Sequence, residues 1–195
     1  SAAAELSRVA AGKEREKSRL KTSAAGRPAR LPLPKIIFEN EQFLVLDKPA
    51  GLLSVESDDE RLSAYYIAEE YLRQKGKNER AYVLHRIDKE TSGVLAFAKD
   101  IKLHSMLRMR WNELVEKREY YAVISGVFEE KNGEIVSFLK EDKNHLVYCV
   151  SPREGKRAVT RYETVCENGK YSLLRVEIDS GRKNQIRVAM KEAGH

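Results

Sequence analysis

The strongest constraint on the fold is a succession of short period-two segments joined by short links. Ala158, Thr160, Tyr162 and Thr164 share one parity, as do Leu174, Val176 and Ile178. A strand repeat of two residues puts each set on one face. Tyr120 to Val127 reads as a long strand, and Glu134 to Leu139 and Leu146 to Val150 as shorter ones. Upstream, Ile36-Ile37-Phe38 and Phe43-Leu44-Val45-Leu46 flank a turn at Glu39-Asn40-Glu41, and Lys48-Pro49-Ala50-Gly51 breaks the second strand. Tyr82-Val83-Leu84 and Val94 to Ala98 bracket a charged loop. Strands linked at hairpin length pair antiparallel. Helical spacing enters over residues 60–75, through Leu62, Tyr65, Tyr66, Ala68, Glu69 and Leu72. It returns over residues 101–115, through Ile101, Met106, Leu107, Trp111 and Leu114, behind an N-cap at Lys99-Asp100. The pattern predicts an α+β fold: a largely antiparallel mixed β-sheet with flanking helices on one face.

With 195 residues, 42% hydrophobic and 34% charged, the chain is predicted to be one domain, or one domain with an appendage. No apolar run approaches the roughly 18–20 residues that span a bilayer. Ser1-Ala2-Ala3-Ala4-Glu5 lacks the layout of a secretion signal, so a cytoplasmic protein is expected. Cys149 and Cys166 form no C-x-x-C and read as reduced thiols. His85, His104, His145 and His195 are scattered, which implies no metal. The net charge of +6 is concentrated at one end: residues 1–31 carry eight basic and three acidic side chains, against 28 and 27 in the remainder. Residues 1–34 therefore form a basic N-terminal segment ending in the Pro-punctuated linker Gly26 to Pro34. That segment is either a solvated tail or docking helix, or an RNA-contacting arm.

The most informative stretch is Leu84-His85-Arg86-Ile87-Asp88-Lys89-Glu90-Thr91-Ser92-Gly93-Val94-Leu95. Two apolar strands hold a polar loop in which Gly93 can take positive φ and Thr91 and Ser92 can bond nearby backbone. Such a loop is either a polar hairpin turn or a site that presents a carboxylate from a rigid edge. A kinase catalytic loop is excluded, because Ile87 interrupts H-R-D and no Gly-rich phosphate loop precedes it.

His85 to Gly93 closely resembles the H-R-L-D-K-x-T-S-G signature of RluA-type pseudouridine synthases. Three further segments agree in order. Asp47-Lys48-Pro49-Ala50-Gly51-Leu52 is similar to the family's K-P-x-G element, and Lys117-Arg118-Glu119-Tyr120-Tyr121-Ala122-Val123 to its K-x-Y-x-A strand. Ser180-Gly181-Arg182-Lys183-Asn184-Gln185-Ile186-Arg187-Val188 is similar to its G-R-T-H-Q-I-R-V segment. The resemblance implies isomerisation of uridine to pseudouridine in structured RNA, ribosomal ahead of transfer RNA, without cofactor or metal; a monomer is expected. It makes Asp88 the catalytic carboxylate, acting as nucleophile or base. Arg187 becomes its ion partner and Tyr120 the aromatic residue against the uracil. Tyr121, one residue on, would face the other way.

Arg86 matches the arginine that takes the place of the departing base, or it forms a structural salt bridge. Ile186 is expected to line the uracil pocket. Arg182, Lys183, Lys89 and Lys48 are phosphate-contact candidates, or ordinary solvated charge. Lys183-Asn184 departs from the family's Thr-His, and Ala189 stands where His is frequent. Gly194-His195 resembles the start of an element that normally continues, so residues 35–195 are expected to be a catalytic domain cut short. A catalytically silent RNA-binding protein, or an inactive fragment of the same fold, is the competing class.

Overall fold

The computed structural model describes residues 33–76 and 79–195. The tail, helix and arm readings of the N-terminal segment fall on residues 1–32, outside the described residues. The described chain separates into two compact units, residues 33–116 and 117–195.

The first unit is a four-stranded antiparallel sheet with helices. Its strands are β1 (Lys35–Glu39), β2 (Phe43–Lys48), β3 (Tyr82–Val83) and β4 (Gly93–Ala98), in the order β1-β2-β4-β3. The turn between β1 and β2 forms because Asn40 Oδ1 accepts from the backbone N–H of Gln42 at 2.9 Å and Phe43 at 2.7 Å. Helix α1 (Ala64–Lys75) starts four residues later than its apolar spacing predicts. Ser63 sets the start: its hydroxyl accepts from Tyr66 N, satisfying one of the unpaired N–H groups of the first turn. Ala64, Ala68 and Leu72 of α1 pack on Leu44, Leu46, Leu95 and Phe97 of the sheet. The second predicted helix is interrupted. Helix α2 (Ile101–Met109), capped by Asp100 as expected, ends at Arg110, which leaves helical geometry at φ −108° and ψ 17°. The short α3 (Trp111–Leu114) follows.

The second unit is a five-stranded antiparallel sheet of β5 (Glu119–Ser125), β6 (Asn132–Glu141), β7 (Val147–Cys149), β8 (Lys156–Glu167) and β9 (Tyr171–Ile178), ordered β5-β9-β8-β6-β7. The period-two sets behave as read: Leu174, Val176 and Ile178 are buried together with Ile124. A final helix, α4 (Gln185–Glu192), packs Met190 on that cluster and Val188 on Leu139 and Ala158. The expected antiparallel architecture thus holds, divided into two sheets. The parallel contact present is an isolated bridge between Leu53 and Ser63.

Glu39, the last residue of edge strand β1, ties it to the rest of the first unit. Its carboxylate accepts from Lys99 Nζ at 2.7 Å, Lys75 Nζ at 2.9 Å and the Tyr71 hydroxyl at 2.7 Å. Burial pushes this carboxyl up, but those three donors outweigh burial and hold it at about 2. The folded value lies below the unfolded one, so the stabilisation is fully present above about pH 4.5 and is lost as the pH falls towards 2. Glu39→Gln is expected to lower stability by about 2 kcal/mol at pH 7. In urea titrations, the gap between the two proteins should close on acidification to pH 2.

Candidate active site

The loop from His85 to Ser92 runs from β3 to β4, whose strands are antiparallel neighbours. Asp88 is half-buried and opens a tight turn, its carbonyl accepting from Thr91 N at 3.0 Å. Gly93 closes the loop at φ +130°, a region that side chains with a Cβ rarely enter. At the front of the loop, the His85 ring accepts from Ala96 N at 3.2 Å and stacks on Trp111 with centroids 5.5 Å apart.

A second segment holds this loop from beneath. Ser54 is buried, and its hydroxyl donates to the Ile87 carbonyl at 2.6 Å while accepting from Ile87 N at 3.1 Å. Gly51 N donates to the Lys89 carbonyl at 2.8 Å. Lys48 completes the arrangement. It is fully buried, and its Nζ donates to the carbonyls of Pro49 at 2.9 Å, Leu52 at 2.6 Å and Lys89 at 3.1 Å. Burial pushes this ammonium down to about 8, with the charges of Glu90 and Asp88 pulling the other way. It remains an ammonium at neutral pH. This corrects the expectation that Lys48 contacts phosphate: three carbonyls take the three protons an ammonium can donate. Strand parity carried the signal, because Leu44, Leu46 and Lys48 lie on one face of β2. Arg86 and Lys89 are exposed on the loop, and Lys89 pairs with Glu60.

The other candidates belong to the second unit. Tyr120 lies on β5 opposite Val176 and packs half-buried against the cluster of Ile124, Leu174 and Val176. Tyr121 points away and is exposed, as strand alternation requires. Ile186, the second residue of α4, packs on the same cluster as Tyr120, so the structure brings these two together. Arg187 is exposed and its Nη1 donates to Asn184 Oδ1 at 3.0 Å. Arg182 is exposed. Lys183 is engaged within the chain: its Nζ pairs with Glu141 at 2.7 Å and donates to the His145 carbonyl at 3.1 Å. The same carboxylate accepts from both Lys183 and His145, which holds it below the usual carboxylate range.

Two residues that brace the candidate segments, one in each unit, are not individually legible in the sequence. Ser54 has no patterned neighbourhood, and its role lies wholly in backbone contacts. Gln185 is buried at the start of α4, where its amide donates to the Val159 carbonyl at 2.9 Å and its oxygen accepts from Ser180 Oγ at 2.8 Å. Those bonds fix the turn from β9 into α4, and hence where Ile186 and Arg187 emerge.

Comparison with known proteins adds to this geometry. Residues 42–192 match the family model described as RNA pseudouridylate synthase. Ribosomal large subunit pseudouridine synthase D of Borreliella burgdorferi is 36% identical over 172 residues, covering 85% of this chain and 52% of that protein. The dual-specificity RNA pseudouridine synthase RluA of Vibrio cholerae is 32% identical over 169 residues, covering 86% and 67%. The chain spans about half the length of several curated relatives it matches, 52% and 54% for the first two. Among solved structures, human RNA Pseudouridylate Synthase Domain Containing 4 shares the fold, with a TM-score of 0.69 at 21% identity, covering 81% of this chain and 64% of that one. Four motifs in order, a loop fastened around Asp88, and a family match across most of the sequence converge: the chain belongs to the RNA pseudouridylate synthase family.

Proposed function

We propose that this chain isomerises specific uridines in structured RNA to pseudouridine, with Asp88 as the catalytic carboxylate. The observation that carries the reading is the loop itself: Asp88 sits in the family's signature, on a turn whose backbone is held by Ser54, Gly51 and Lys48. Preorganisation of this kind lets a carboxylate act without a reorganisation cost at the moment of reaction. The reaction is balanced without a co-reactant. The bond from N1 to the ribose breaks, C5 bonds to the same sugar carbon, and the proton from C5 leaves while N1 gains one. Asp88 serves as nucleophile or base, Arg187 is the cation assigned to it, and Tyr120 and Ile186 present ring and apolar surface to the uracil.

Arg86 is proposed to support the RNA stack once the uridine is turned out, a step that costs a few kcal/mol. Arg182 and Lys89 are the remaining phosphate contacts. Residues 35–195 are read as lying in the catalytic domain, working in the cytoplasm as a monomer. Ribosomal RNA is favoured because relatives from Borreliella burgdorferi and Zymomonas mobilis are named for the ribosomal large subunit.

RNA tritiated at uridine C5 gives a direct readout. The wild-type chain should release label, and Asp88→Asn should lower release by about a thousandfold or more while RNA binding persists. Wild-type chain that binds RNA but never releases label would favour a silent binding protein. The Lys48 ammonium gives a separate expectation. Lys48→Met strips a donor from three carbonyls beneath the loop, and should lower stability by about 2–3 kcal/mol in urea unfolding.

A further inference from the structure

We propose that a cleft between α1, β3 and α2 in the first unit is a second RNA contact, which takes one unpaired nucleobase, preferably guanine, and its phosphate. The proposal rests on the reading of the protein as one that acts on RNA, and it adds a subsite to it. The cleft has a volume of about 380 Å³, and its lining includes Tyr65, Tyr82, Val83, His104, Arg108 and Glu56. That volume falls within the range of small-ligand sites, roughly 300–1,000 Å³.

The lining has the chemistry of a base platform. Tyr82 and His104 form a tilted ring pair with centroids 5.6 Å apart. Both rings are half-buried and fixed: Tyr82 is paired with Ala98 in the sheet, and His104 Nε2 lies 3.2 Å from the Val83 carbonyl. A carbonyl only accepts, so Nε2 is the donor in that contact. Fixed aromatic faces of this kind stack nucleobases at little entropic cost. Arg108 supplies the cation. Its neighbour Arg110 is neutralised by Glu113 at 2.9 Å, whereas among the described residues Arg108 makes no ion pair. An unneutralised guanidinium at an aromatic cleft suits a phosphate.

Glu56 sets the base preference. A carboxylate only accepts hydrogen bonds, and guanine alone among the four bases offers two adjacent ring-edge donors to one carboxylate. Glu56 and Tyr65 line the cleft together. The cleft also shares its supports with the proposed catalytic loop. β3 continues through Leu84 into His85-Arg86-Ile87-Asp88, and Ser54, which grips Ile87, lies two residues before Glu56. The larger cleft of the second unit, about 500 Å³, makes a poorer anion site: four carboxylates line it against three cations, and two of those cations, Arg161 and Arg175, are already paired with Glu134 and Glu163.

The test uses the full chain and fluorescent decamers: uridines with one central guanosine, or the same strand with an abasic site there. Fluorescence anisotropy should show the guanosine strand binding about tenfold tighter than the abasic one. Tyr82→Leu should abolish that difference, and Tyr82→Trp should restore it. Arg108→Ala, at an exposed site that cannot threaten folding, should weaken both strands several-fold and reduce the salt dependence by about one phosphate contact. Unchanged affinity and discrimination in Arg108→Ala and Tyr82→Leu would overturn the proposal. So would competition by free GMP with no variant effect on the decamers, which would mark a nucleotide site rather than an RNA contact. Label release is scored separately: a wild-type chain that discriminates the decamers but releases no tritium leaves the cleft standing and removes the isomerase reading.

Discussion

The Lys48 ammonium is the point on which the loop around Asp88 depends. Burying an ammonium costs several kcal/mol unless its protons find acceptors and its charge finds partners. Here both are supplied. Three carbonyls receive the three protons, and Glu90 and Asp88 favour the charged form. Two of those carbonyls belong to the Pro49–Leu52 turn and one to Lys89, so a single cation joins segments separated by about forty residues. Gly51 adds a parallel restraint by donating to that same Lys89 carbonyl, and it does so from φ +86°. A Cβ at Gly51 would meet no atom within 4 Å, so glycine is needed there for its backbone conformation and not for space. An apolar residue at position 48 would suit the surrounding core of Leu44 and Leu46 and leave the loop without its tie.

The sheets were legible because each strand buries one face, which stamps period two on the residues. The same rule separated Tyr120 from Tyr121 and held in the burial of β5. It also contained the fate of Lys48, which shares a face with Leu44 and Leu46, although a cation in a segment resembling the family's K-P-x-G element suggests a phosphate contact. Helix α4 was not legible. Ile186, Val188 and Met190 read as well at period two as at helical spacing, and short apolar runs leave the choice to packing. Packing decides for helix, since Val188 and Met190 bury into two different clusters. The break at Arg110 carries no glycine or proline, so the apolar spacing reads as one continuous helix. The four motif segments were legible through resemblance to the family. Ser54 and Gln185 were not individually legible, because their partners are backbone groups distant in sequence.

The departure at Lys183-Asn184 has a physical account. Asn184 sits at φ +55°, in the left-handed region, where asparagine is tolerated better than most residues. From that position its side chain accepts from Arg187 instead of capping the helix. A substitution that kept the left-handed turn but lost the amide oxygen would therefore preserve α4 and loosen the Arg187 guanidinium. Lys183, meanwhile, brings an extra cation beside Arg182, yet that charge is spent on Glu141 and on the His145 carbonyl. It fastens the β6–β7 hairpin to the turn before α4. Lys183 and Asn184 thus brace the turn in this chain, while the Gln185 bonds that set the start of α4, and with it Ile186 and Arg187, are made by a residue shared with the motif this segment resembles.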